Sequence, residues 1–285
     1  MTTDIGYIVF LFIFIFGTFI GSFLNVVIWR LPKGKKLTGR SECPNCKHQL
    51  NWLDLIPVVS FLISGAKCRY CSKSISWRYP LIELFTGVLF VLAVLLVSPG
   101  MDLHNIQPGP VSWLIADWVD VAKYLFILSV LFVVFVIDLE HYLILDKIVF
   151  PALVVVLVLN FLVSMIIGET LLDYLPHLID SLMGMAAGFL PFFLLWWLSK
   201  GKWMGLGDAK FGLLLGAIFG FPQIWVCFFI AFLLGTVVAI PLLLTGKKEL
   251  SSKLPFGTFL AVSAVITLWY GWPLAWWYYG LIGLN

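Results

Sequence analysis

Two aspartates and four cysteines are the residues of this chain whose type and spacing could do chemistry. Asp138 follows the apolar run Leu125 to Ile137, and Asp208 closes the string Gly205-Leu206-Gly207-Asp208 just ahead of another apolar run. Ionisable groups in or at the ends of membrane-length segments are costly to keep there, which makes them functional candidates. Two carboxylates that approach closely do not both ionise easily and come to share a proton. One can then activate water while the other polarises a carbonyl. Glycine at 205 and 207 lets backbone approach a substrate or a neighbouring helix closely. The residues taken alone equally allow Asp208 to be a helix N-cap and Asp138 to be a charge that stops a helix in the interface. Glu140, His141 and Asp146 share the turn after Asp138. His141 stands as a supporting candidate, and the two acids read as solvated loop residues.

The cysteines form two pairs, Cys43-Pro44-Asn45-Cys46 and Cys68-Arg69-Tyr70-Cys71, separated by 21 residues. Two short turns that each present two thiolates can close a tetrahedral zinc site. All four positions would be filled by protein, so the metal's role is structural, stapling a segment too small for a large core. A pair of disulfides is the weaker alternative in a reducing compartment. His48 reads as an exposed neighbour of the cluster and Cys227 as a small buried apolar residue.

These groups must be positioned by membrane-spanning helices. The chain of 285 residues is 61% hydrophobic and only 12% charged, which excludes an ordinary soluble domain. With about 20 apolar residues needed per span, eight candidates emerge, over 6–29, 80–98, 121–137, 148–167, 181–199, 208–221, 223–245 and 256–282. The sixth is short. The run Ile5 to Trp29 has no basic residues before it and no small-residue cleavage site after it, so it reads as a retained first helix. The fold class expected is an all-α polytopic membrane protein of about eight transmembrane helices with a small zinc-stapled insertion. Its divisions are a first helix (1–29), a tetracysteine segment (30–79) and a membrane core (80–285).

Seventeen of the 18 lysines and arginines fall on one side of this threading, Lys123 being the exception, and ten of them lie in 30–79. Asp102, Asp117, Asp120, Glu169, Asp173 and Asp180 fall on the other side. The positive-inside bias then puts 30–79 in the cytoplasm and both termini in the periplasm. The cations also suit contact with anionic lipid. Tryptophans at 113, 118, 196, 197, 203, 225, 272, 276 and 277 fall near span ends, as interfacial anchors do. No nucleic-acid partner is expected, and the oligomeric state is left open.

Taken together, the motifs resemble those of the bacterial type IV prepilin peptidases, also called prepilin leader peptidase/N-methyltransferases. The likeness rests on Gly21-Ser22-Phe23-Leu24-Asn25-Val26-Val27-Ile28-Trp29-Arg30-Leu31-Pro32, the cysteine pairs, Ile56-Pro57-Val58-Val59-Ser60 and Arg78-Tyr79-Pro80-Leu81-Ile82-Glu83-Leu84. It continues through Asp138 to Asp146, Gly205 to Lys210, and Pro255-Phe256-Gly257-Thr258-Phe259-Leu260-Ala261. The resemblance implies an aspartic protease of the inner membrane with Asp138 and Asp208 as its catalytic pair. It also implies prepilin or pseudopilin substrates cut after glycine at the cytoplasmic membrane face. S-adenosylmethionine would be the donor for methylating the new N-terminal amine, although no glycine-rich nucleotide loop marks its binding residues. The family often has proline where this chain has Leu145 and Thr258, and neither departure is expected to touch the aspartate pair.

Presenilin-like proteases also use a glycine-flanked aspartate, but their Pro-Ala-Leu tripeptide follows the second aspartate, whereas Pro151-Ala152-Leu153 precedes Asp208 here. A proton-coupled transporter would place acids near the bilayer midplane and show repeated halves. An inactive scaffold, docking partners through 30–79, would leave the paired aspartates unused.

Overall fold

In a computed structural model the chain is described over residues 2–97, 111–166, 171–245 and 254–281. Among these residues it is helical apart from turns and two isolated bridges. Seven helices are long and apolar enough to cross a membrane. Asp102, Glu169, Lys247, Lys248 and Lys253, used above for topology, lie outside the described residues, as do the side chains of Trp113, Asp117 and Asp173. The chain divides into two compact units, Met1–Pro108 and Gly109–Asn285.

The first unit contains α1 (Thr2–Arg30), the short α2 (Val59–Ile63) and α3 (Arg78–Val97). It therefore includes α3, which the sequence division at residue 80 groups with the later helices. Gly17 and Gly21 of α1 let it lie directly on α3: a Cβ on Gly17 would stand 2.8 Å from Gly87 Cα, and one on Gly21 2.8 Å from Glu83 Cα. Small residues bring helices together where lipid supplies no hydrophobic drive for their association. The opposite face of α1 exposes Tyr7, Ile8, Leu11, Phe12 and Phe19.

The second unit runs through α4 (Val111–His141), α5 (Asp146–Ile166), α6 (Leu171–Ser199), α7 (Leu206–Phe219), α8 (Gln223–Leu244) and α9 (Phe256–Leu281). Expected as the sixth span, α7 has 14 residues. At ~1.5 Å per residue it reaches about 21 Å, short of the roughly 30 Å hydrocarbon core. It is instead the most enclosed helix of the unit, with Ala209, Phe211, Leu214, Leu215 and Ala217 buried.

Its partner is α6. Gly184 and Gly188 of α6 meet Gly216 and Gly212 of α7, and a Cβ on any of the four would run into the backbone of the facing helix. Two facing glycine pairs spaced four residues apart thus set the distance at which α7 is held. Phe192, on the next turn of α6, packs against Phe228 of α8 with ring centroids 4.6 Å apart and the planes tilted by 50°.

Gly212→Ala is expected to destabilise the protein by about 1–3 kcal/mol, because a backbone carbonyl cannot move aside as a side chain can. Gly235→Ala is the control, since its Cβ would find nothing nearer than Phe259 at 3.6 Å. That change should be neutral or stabilising by up to ~1 kcal/mol through helix propensity. Thermal unfolding of the two variants in detergent micelles reads the difference.

Candidate functional site

Asp138 lies in the last turn of α4 and is 4% exposed. The helix ends because Tyr142 turns to a positive φ of 56°, its N–H closing on the Asp138 carbonyl at 2.8 Å. After a short turn the Leu145 carbonyl accepts the Ile148 and Val149 N–H groups, so α5 starts at Asp146.

Asp208 is the third residue of α7. Gly205 is the N-cap, and the Asp208 Oδ2 reaches back to accept its N–H at 3.2 Å. This is the acidic half of a capping box. It differs from the alternative in which Asp208 itself caps the helix.

Ile144 lies between the segments that carry the two aspartates. A Cβ added to Gly207 would stand 3.0 Å from Ile144 Cβ, and one added to Gly257 would stand 2.8 Å from Ile144 Cδ1 and 2.9 Å from Asp138 Oδ2. The start of α7, the start of α9 and the turn after α4 therefore converge on one side chain, and glycine at 207 and 257 permits it. Asp208 is near enough to feel the charge of Asp138. Gly205 has an extended backbone that any residue could adopt, and the nearest atom to a side chain there would be Asp208 Oδ2 at 3.3 Å.

Two parts of this arrangement are not evident from the sequence. Thr258 donates its backbone N–H to Asp138 Oδ2 at 2.7 Å, so the substitution at 258 does touch the pair, contrary to expectation. A proline there would have no N–H to give. Asp146 is more than a solvated acid, because both its carboxylate oxygens meet Lys210 Nζ, at 2.8 and 2.7 Å, and tie the start of α5 to the first turns of α7. Lys210 stands two residues beyond Asp208 in the same motif, which was the available signal. His141 is exposed at the end of α4, with Nε2 3.9 Å from Glu140.

In the first unit the four thiols converge, with all sulfurs within 4.8 Å of one another and Cys43 and Cys71 3.9 Å apart. None of the cysteines is in a disulfide. Zinc–sulfur bonds of about 2.3 Å in a tetrahedron put sulfurs about 3.8 Å apart, so the donor set fits that ion. The two halves are built alike. In one, Cys43 N–H bonds the His48 carbonyl and Lys47 N–H the Cys43 carbonyl, both at 2.9 Å. In the other, Cys68 N–H bonds the Lys73 carbonyl and Ser72 N–H the Cys68 carbonyl, both at 2.8 Å, with Lys47 and Ser72 both at positive φ.

Burial opposes ionisation of Cys43, yet the Cys46 and Asn45 backbone and the neighbouring thiols bring it down to about 7. The Lys73 backbone lowers Cys71, but burial and the three other thiols push it up to about 11. The first thiolate thus forms readily and makes later ones costly, a penalty that a divalent cation removes. His48 stacks on Tyr70 with centroids 3.6 Å apart, and Cys227 is fully buried in α8 with Sγ 3.3 Å from Ser263 Oγ.

Comparison with known proteins matches residues 15–97 to the bacterial peptidase A24 N-terminal domain and residues 125–240 to the type IV leader peptidase family. A prepilin leader peptidase/N-methyltransferase of Aeromonas salmonicida (strain A449) is 32% identical over 300 residues, covering 95% of this chain and 94% of the relative. Proteins of the same name from Pseudomonas aeruginosa and Bacillus subtilis (strain 168) are each 29% identical, over 90% and 91% of this chain and 88% and 93% of their own lengths. No solved structure matches the chain.

Thr258→Pro, in the first turn of α9 where proline is otherwise tolerated, should cost about 1–3 kcal/mol by leaving a buried carboxylate short of one donor. Thr258→Ala keeps the N–H and should stay within about 0.5 kcal/mol of the parent. Thermal midpoints of the two variants separate the backbone effect from loss of the side chain.

Proposed function

The chain belongs to the type IV leader peptidase family, and from that premise we propose that it is a membrane aspartic endopeptidase that cleaves prepilin-like precursors and methylates the new N-terminus. The observation that supports cleavage most directly is the convergence on Ile144 of Gly207, the neighbour of Asp208, and Gly257, which borders Asp138, with Asp138 held by the Thr258 N–H. One carboxylate takes a proton from the attacking water while the other gives one to the carbonyl oxygen of the scissile bond. The roles reverse as the amine leaves. Asp146 and Lys210 hold α5 against α7, and so keep Asp208 in register with the turn after α4. Gly207 keeps the approach to Ile144 open. His141 is a supporting residue at the rim.

The substrates are prepilins or pseudopilins, cut after a glycine between a basic leader and an apolar helix. Segment 30–79 faces the cytoplasm of an inner membrane, in keeping with the distribution of basic residues. With α7, which runs back along α6 as far as Asp180, taken as a short eighth crossing enclosed by protein, both termini face the periplasm. The lysines and arginines of 30–79 meet anionic lipid. Cys43, Cys46, Cys68 and Cys71 hold one structural zinc ion, which leaves no open coordination position for catalysis.

Mass spectrometry of a co-expressed prepilin, read at its mature N-terminus, tests both activities. The expected product begins immediately after the leader glycine and bears one added methyl group. An intact leader contradicts the cleavage reading. Elemental analysis of the purified protein is expected to give about one zinc per chain, falling to near zero in Cys68→Ser together with earlier thermal unfolding.

A further inference from the structure

A cavity of about 1010 Å³ lies within the unit Met1–Pro108, between the end of α1, the start of α3 and the cysteine segment. Small-molecule sites typically run from about 300 to 1,000 Å³, so this one has room for a nucleoside-sized ligand and the tip of a second molecule. Two buried acceptors line it. Glu83, in the second turn of α3, is 8% exposed, and the donors that reach it are neutral: the Val58 N–H at 2.8 Å and the Ser22 hydroxyl. Asn25 is 5% exposed; its Nδ2 donates to the Tyr79 carbonyl at 3.1 Å, while its Oδ1 is buried with no hydrogen-bond partner.

Val58 is held at a φ of 62°, which a β-branched residue rarely adopts. Backbone strain of this kind collects at functional sites. The close approach at Gly21 fixes Glu83 against α1, whose next turn supplies Asn25.

The walls suit two different visitors. On α1 the cavity is bordered by Phe19 and Phe23, 51% and 53% exposed, which an apolar helix within lipid can pass. Elsewhere it is lined by Trp52, Tyr70 and Asp54, with Asp54 accepting the Tyr70 hydroxyl at 3.1 Å. Aromatic faces stack nucleobases and a carboxylate accepts ribose hydroxyls, so these residues fit an adenosine-bearing donor.

We propose that this cavity is the methyl-transfer site, taking the N-terminal primary ammonium of an apolar helix against Glu83 and Asn25 and a sulfonium nucleoside, S-adenosylmethionine, beside Trp52, Tyr70 and Asp54. The assignment rests on the methyltransferase half of the proposed function. The ammonium gives one proton to Glu83 and one N–H hydrogen bond to Asn25 Oδ1. The lone pair of the neutral amine then attacks the methyl carbon, and the carbon–sulfur bond breaks as the carbon–nitrogen bond forms. The electron pair of the broken bond stays on sulfur, so the sulfonium becomes a neutral thioether. The methylated amine keeps its positive charge, and the proton on Glu83 passes to water.

The test uses the full-length protein in detergent micelles, with S-adenosylhomocysteine as the calorimetric probe, alongside mass spectrometry of a co-expressed prepilin. Glu83→Gln should yield a cleaved product whose methylation has fallen at least about a hundredfold, as loss of a general base predicts. Its affinity for the probe should stay within about threefold of the parent, whereas Trp52→Ala should weaken that affinity about tenfold. Asn25→Leu removes the unsatisfied acceptor together with the Nδ2 donor to the Tyr79 carbonyl, so a purely structural Asn25 predicts at most a change in thermal stability with methylation intact. The assignment instead predicts lost methylation. Parent-like methylation by both Glu83→Gln and Asn25→Leu, beside a methylating parent, overturns the cavity assignment alone, as does unchanged affinity in Trp52→Ala. A parent protein that cleaves but neither methylates nor binds the probe overturns the methyltransferase reading with it.

Discussion

The second unit is organised around one electrostatic problem, that of bringing two acidic side chains from different helices, one of them buried, within reach of each other's charge. Like charges repel more strongly as the local dielectric falls. The structure meets this with backbone donors and close packing. The Thr258 N–H is spent on Asp138 and the Gly205 N–H on Asp208. Glycine at 207 and 257 removes the side chains that would hold α7 and α9 away from Ile144. The glycine seam between α6 and α7 carries the same economy of volume further from the site, fixing a helix too short to be anchored by its own span. The Asp146–Lys210 pair adds a tether that is partly exposed, so its energetic weight is small, below about 1 kcal/mol, and its value lies in register.

The cysteine cluster solves a different problem. Few residues between α1 and α3 are buried apart from Cys43, Pro57, Phe61 and Cys68, so apolar burial alone gives that segment little stability. Two similar turns bring four thiols within bonding range of one ion, and the unequal ease with which Cys43 and Cys71 ionise is what four crowded sulfurs produce before a cation arrives. A metal held there would also fix the loops that border the cavity beside Glu83.

Much of this was legible in the sequence. Apolar runs of spanning length, the two cysteine pairs and the Gly205 to Asp208 string each reflect a local requirement, and local requirements leave local patterns. What the sequence concealed was long-range. Thr258 reaches Asp138 through its backbone, 120 residues away, and a backbone N–H leaves no signature in residue type except through the absence of proline. Asp146 looked like a solvated turn residue because its partner, Lys210, lies 64 residues on. The short α7 has the composition of a span, and only its burial among α5, α6 and α9 shows why so few residues suffice.

The account stands or falls on the joint action of the two carboxylates, which isosteric amides probe without changing shape. Cleavage of a co-expressed prepilin by Asp138→Asn and, separately, by Asp208→Asn is the direct measurement, with membrane insertion of each variant verified by fractionation and its folding by thermal unfolding. The account predicts that either change alone lowers cleavage at least about a hundredfold, since neither carboxyl can supply both proton transfers. A variant that keeps a large fraction of the parent's cleavage with either amide in place contradicts it.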